Sequence, residues 1–283
     1  MPHQQYQDTL SSPRAGVYKR VFRTKTAEEA TGALLWNQAV IMALHPLIMS
    51  FEVALRNRIH VSLSRQASQA IGNPSDSFAW YDPQQGWLQL QGETGAKIGR
   101  LLNDEAGVRR ALQPSPERVV SALSFGVWTN ILDSQLPTPP VERLTFSDVF
   151  PHHPAKKPHR YWAFTPNRKS VVERVKDVRA WRNRLSHCKP VWSEGWFRAS
   201  PTQHWQEMLR RVSARRQEVE EVLGWICPHT AQVCRQSFPG RLFDGMVTEN
   251  AVFEYLQGHL GATTGPEYPV PDQTDLQNYK ART

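Results

Sequence analysis

Arg182, Asn183 and His187 are the residues of this sequence whose types and spacing could carry out a reaction. They fall within Trp181-Arg182-Asn183-Arg184-Leu185-Ser186-His187-Cys188-Lys189-Pro190. Histidine titrates near neutral pH and can move a proton. Arginine stays charged and presents a planar fork that fits a phosphate. A proton carrier beside a phosphate clamp is what metal-free RNA cleavage needs. The imidazole takes the proton of the ribose 2′-hydroxyl, and the guanidinium stabilises charge building on the phosphorus oxygens. The same short pattern also arises by chance in many helices, where it serves a surface or partner contact and breaks no bond.

Positioning these groups requires a helix. Val171, Val175, Val178 and Leu185 follow helical spacing and predict one that begins at Ser170, with an apolar stripe toward a core. Arg182 falls in the middle of that stripe, a costly place for a cation unless it is paired or working. Asn183 and His187 share a neighbouring face, flanked by Arg179 and Ser186. Pro190 is expected to end the helix, because proline disfavours helical backbone at the residue before it.

A second helix is the natural partner. Pro46 suits a first helical turn, so one helix is expected to stop before it and another to start there. Ile48, Phe51, Leu55, Ile59 and Leu63 form the apolar face of the second, and Glu52, Arg56 and His60 lie along its edge. If this ridge faces the Arg182/His187 helix, Glu52 can orient one of those groups and Arg56 can add a phosphate contact. The alternative is an ordinary surface pair between Glu52 and Arg56, worth a few tenths of a kcal/mol. His60 reads as structural.

The motif Arg182-Asn183-Arg184-Leu185-Ser186-His187 resembles the Arg-polar-x-x-x-His signature of HEPN-domain ribonucleases. In order, Trp36-Asn37, Glu52-Val53-Ala54-Leu55-Arg56-Asn57, Ser124-Phe125-Gly126-Val127-Trp128, the motif itself and Trp225-Ile226-Cys227-Pro228 look like the Abi-like (abortive infection) branch of that superfamily. The resemblance spans roughly residues 27–240. It implies a metal-independent endoribonuclease, an RNA-cleaving toxin or phage-defence effector that leaves 2′,3′-cyclic phosphate and 5′-hydroxyl ends. It implies His187 as general base and acid, Arg182 as phosphate stabiliser and Asn183 as a polar aid. It also implies a homodimer with a composite site, RNA as substrate and an antitoxin protein as a further partner. The family often carries a second histidine where this sequence has Cys188. The runner-up is a non-catalytic helical module that binds RNA, a nucleotide or a partner protein through the same groove.

Composition agrees with a polyanionic partner. The formal net charge of the 283 residues is +8, and hydrophobic residues make up 40%, enough for a large core. The beginning of the sequence lacks a signal-peptide pattern. The most apolar run, Val40 to Leu55, is interrupted by His45, Pro46 and Glu52, so no membrane span is expected. Cys188, Cys227 and Cys234 show no pairing logic and no zinc spacing, which points to a reducing cytoplasm and to neither metal nor cofactor.

The remaining chain reads as helices and connectors, giving an all-α, HEPN-like helical bundle. Residues 1–24 read as a flexible extension, 25–240 as the helical domain, and 241–283 as a polar, largely disordered tail with one short helix near Ala251 to Leu256. Thr26 and Glu29 form a capping box. Phe78, Trp80, Tyr81 and Trp87 read as core plugs, with base stacking as the alternative. Ser115 caps a helix expected to run through Ile131, with Gly126 at a helix crossing. Pro137 to Pro158 reads as a proline-rich connector whose His152, His153, Lys156, Lys157 and His159 suit an RNA backbone better than a metal. Arg210, Arg211, Arg215 and Arg216 give the next helix a basic face, either solvated or facing nucleic acid. Gly224 is expected to break that helix.

Overall fold

The computed structural model describes residues 2–10, 12–155, 158–192 and 205–258. Among these the fold is all-α, and the one extended pairing is an isolated bridge between Asn103 and Arg109. The part of the expected tail beyond residue 258 lies outside the described residues.

The axis of the bundle is a single helix, α3, over Ala27–Ala70. It follows α1 (Pro2–Leu10) and α2 (Ser12–Phe22). Thr26 and Glu29 close a capping box at its start, as their spacing predicts. Its buried residues run from Ala30 to Ser68 and face several directions, the pattern of a helix surrounded by others. By length and composition alone α3 could cross a membrane. Its apolarity here is used by the helices packed around it.

The break expected at Pro46 does not occur. Pro46 removes one backbone hydrogen bond, which costs a helix interior about 3 kcal/mol. Its ring is exposed, and so is Met42, whose carbonyl loses that bond, so solvent can take up the freed oxygen. Ala43, Leu44, Leu47 and Ile48 are buried on either side, and their packing outweighs the penalty.

The amino-terminal segment is likewise part of the bundle. Both α1 and α2 pack on α3, and Tyr18, Val21 and Phe22 are buried. Phe22 packs edge-on against Trp36 and Trp192, and Tyr18 against Trp192. These apolar residues were hidden among polar neighbours, which is why the stretch reads as a loose extension.

Trp80 and Tyr81 are buried, as core plugs should be. The Trp80 indole N–H donates to His60 Nδ1 at 3.0 Å. Burial holds the His60 imidazole below its ordinary pKa against the opposing pull of Glu117.

After α4 (Gly92–Leu102), the expected long helix is two pieces, α5 (Pro116–Ala122) and α6 (Phe125–Asn130). Leu123 is extended between them, and a π-helical turn over Ile131–Gln135 follows. Gly126 sits in the first turn of α6. A Cβ there would lie 3.7 Å from the Arg179 side chain, an ordinary contact, so no helix crossing demands glycine.

The proline-rich connector contains α7 (Pro139–Val149). Its two prolines occupy the first turn, where they cost nothing, and Phe146 and Val149 reach the core. After α8 (Pro158–Tyr161) come α9 (Thr165–Ser186), α10 (Trp205–Ile226), α11 (Pro228–Gln236), α12 (Phe238–Met246) and α13 (Glu249–Leu256). Gly224 stays helical, and α10 continues to Ile226. Helices α12 and α13 pack on α3, burying Phe243, Met246, Ala251 and Val252. The helical bundle therefore extends past residue 240, where the sequence reading ended it.

Candidate functional site

Helix α9 begins at Thr165, one turn before the expected Ser170, with Pro166 in its first turn. Val171, Val175, Val178 and Leu185 are buried as their spacing predicts, joined by Val172 and Trp181. The stripe holds α9 against α3, α6 and α10.

Near the carboxy-terminal end of this buried face the charge is matched. Glu52 of α3 is buried, and its Oε2 lies 3.3 Å from Arg182 Nε. The geometry is that of an ion pair without a formed hydrogen bond. The Arg182 side chain keeps 35% of its surface exposed. Its Nη1 approaches Asn183 Oδ1 at 3.5 Å, a long contact. Glu52, Arg182 and Asn183 are thus brought together, in the interhelical pairing that the ridge on α3 predicts.

Asn183, Ser186 and His187 are exposed along the same end of α9. Arg179, one turn earlier, lies beside α6 and lowers the Glu93 carboxyl through its charge, behind the larger effect of Lys97. Arg56 is half-buried one turn beyond Glu52, and its Nε has no hydrogen-bond partner among the described residues. Burial pulls the Arg184 guanidinium below its ordinary value.

The helix does not end because of Pro190. His187 occupies the cap, and Cys188 adopts a left-handed conformation with φ +48°. The Cys188 N–H donates to the Leu185 carbonyl and the Lys189 N–H to the Arg184 carbonyl, both at 3.0 Å. These are the two bonds of a Schellman closure, which usually employs glycine at the left-handed position. With cysteine there, the sequence carries no visible stop signal before Pro190.

One residue carries more of the site than its sequence suggests. Asn37 of α3 is buried, and its Oδ1 accepts the Val191 N–H at 2.9 Å. The neighbouring Trp36 donates its indole N–H to the Met246 carbonyl at 2.7 Å and packs against Trp192. The Trp36-Asn37 pair therefore anchors to α3 the segment that leaves the motif helix. Only the resemblance pointed to this pair; nothing in its spacing shows a long-range hydrogen bond.

Other basic groups are less open than the sequence suggests. Arg215 and Arg216 are buried, the first paired with Glu218 and the second with Glu220 at 2.7 Å. Arg211 pairs with Glu207, leaving Arg210 exposed on that face. The ring of His153 packs among Tyr161, Trp162 and Trp225, and burial holds it below its ordinary pKa. His152 is exposed, while Lys156, Lys157 and the His159 side chain lie outside the described residues. No group of three or more His, Cys, Asp or Glu among the described residues could hold a metal ion. The three cysteines are free thiols.

Comparison with family models, with curated proteins and with solved structures gives no match.

Proposed function

We propose that this protein is a metal-independent endoribonuclease, with Arg182, Asn183 and His187 as its centre and Glu52 as the group that orients Arg182. The observation that carries this reading is the Glu52–Arg182 ion pair. A buried carboxylate on one helix holds a partly exposed guanidinium on another, at the end where Asn183 and His187 reach solvent. That is how a phosphate clamp is kept in place before substrate arrives.

In this mechanism Arg182 binds the scissile phosphate, and Arg56 and Arg179 add charge nearby. His187 takes the proton of the adjacent 2′-hydroxyl, whose oxygen attacks phosphorus. The bond to the 5′-oxygen breaks, and that oxygen receives a proton. The products are a 2′,3′-cyclic phosphate and a 5′-hydroxyl. The nucleophile is internal to the RNA, so no other activated group is needed. Pairing of two α9 ends in a homodimer would place a second His187 to protonate the leaving oxygen. Resemblance to Abi-like proteins favours a toxin or phage-defence role in the cytoplasm, restrained by an antitoxin protein. It also favours HEPN as the kind of bundle.

The exposure of Asn183 and His187 equally suits a module that binds RNA, a nucleotide or a protein without cutting. The two readings part in one experiment: total RNA is incubated in EDTA with wild type, His187→Ala and Arg182→Ala proteins. Discrete cleavage by wild type, lost in both variants while they keep their fold, supports the nuclease. RNA bound by wild type without cleavage supports the module.

A further inference from the structure

Away from α9, the end of α4, the loop after it and α5 enclose a hollow of about 480 Å³. Its size lies in the range of small-molecule sites. Arg100, Arg110 and Arg118 line it together with Leu101, Leu112 and Val119, and no acidic residue does. None of the three arginines is ion-paired among the described residues. Of the acids near in sequence, Glu93 pairs with Lys97 at 2.8 Å, Glu117 accepts the Ser77 hydroxyl, Asp104 accepts loop N–H groups, and Glu105 is exposed outside the lining. Three exposed arginines around one hollow whose lining holds no acid repel one another, and a polyanion relieves that repulsion. Leu112 is 89% exposed, an unusual placement for a large apolar side chain that has the rim of a hollow to cover.

The loop that presents Arg110 and Leu112 is braced. The Asp104 carboxylate accepts the Ala106 and Val108 N–H groups at 3.0 and 2.9 Å. Asn103 pairs with Arg109, and the Arg110 N–H donates to the Leu102 carbonyl at 3.1 Å. The Arg109 guanidinium grips buried Asp82 through both carboxylate oxygens. Gln113 Nε2 donates to the carbonyls of Leu102 and Arg110. Such bracing lowers the ordering cost of binding.

We propose that this hollow binds a free nucleoside di- or triphosphate, its phosphates on Arg100, Arg110 and Arg118 and its base against Leu101, Leu112 and Val119. Clustered cations favour a ligand with clustered charge. An RNA strand spreads its charge one phosphate per nucleotide, so it matches three arginines around one hollow less well. The inference stands independently of the nuclease reading.

The test is calorimetric titration of the full chain with ATP, ADP, AMP and a 5′-hydroxyl hexaribonucleotide, using wild type, Arg110→Gln and Arg118→Gln. The His187→Ala background keeps RNA cleavage from contributing heat. Saturable binding is expected, with ATP and ADP about tenfold or more tighter than AMP. Each arginine variant should weaken it about tenfold without changing the melting temperature of the unliganded protein. Lack of saturable binding at millimolar nucleotide, equal affinity for AMP and ATP, unchanged affinity in both variants, or binding of the oligonucleotide alone would each overturn the proposal.

Discussion

Substituting Asn37 by alanine should loosen the end of the motif helix while leaving most of the bundle intact. Asn37 Oδ1 is the acceptor for the Val191 N–H, and both groups are buried. Removing the acceptor leaves that N–H without a partner, a cost of about 1–3 kcal/mol. Asn37 Nδ2 has no hydrogen-bond partner among the described residues, so its removal gives back part of that cost. A net loss of about 2 kcal/mol lowers the melting temperature of a domain this size by roughly 4–8 °C. The effect is concentrated where the bond was. Amide hydrogen exchange, read residue by residue, should show Val191 losing protection while amides in the middle of α3 keep theirs in proportion to global stability. RNA cleavage, if His187 is the proton carrier, should fall further than the stability loss explains. Unchanged exchange at Val191, together with an unchanged melting temperature, would refute the role assigned to Asn37.

Glu52→Gln should leave the melting temperature within a few degrees of wild type. Arg182 is partly solvated, and the variant also relieves the burial of a carboxylate, so the net change is about 1 kcal/mol or less. Cleavage should nevertheless drop by roughly a hundredfold as Arg182 loses its orientation; a large stability loss with normal cleavage would contradict this. Cys188→Gly should raise the melting temperature by about 2–4 °C, because glycine accepts the left-handed conformation without strain. For Asp82, burial pushes the carboxyl up, but the hydrogen bonds from Arg109 and the Gln84 N–H and the charge of Arg109 outweigh it and hold it below the usual range. A lowered carboxyl contributes stability that is full above the unfolded value near ~3.9 and is lost as pH falls toward the folded one. Acid denaturation curves below about pH 5 should therefore flatten in Arg109→Gln, and identical curves would count against that pairing.

Periodicity made the core of the site legible. The valine stripe of α9, the apolar face of α3 and the approach of Glu52 to Arg182 all follow from residue spacing, because helix faces repeat with 3.6 residues per turn. Local stops were less legible, because packing decides them. Pro46 reads as a boundary, yet it survives inside α3 since its ring faces solvent and both flanks are buried. The stretch from Ser115 to Ile131 reads as one helix, yet Leu123 turns extended between two shorter pieces, of which only the first has a side-chain cap. Tyr18, Val21 and Phe22 contribute to the core from a segment whose average polarity conceals them. Arg215 and Arg216 read as a basic surface, and the structure buries both beside glutamates placed three and four residues later on the same helix.

The most direct test of the nuclease account uses a short RNA cut at one site and a copy carrying a single 2′-deoxy sugar on the 5′ side of that bond, both in EDTA. The account predicts that wild type cuts the first to a 2′,3′-cyclic phosphate and leaves the second intact, with His187→Ala cutting neither. Cleavage of the 2′-deoxy copy, or full cleavage by His187→Ala, would contradict it.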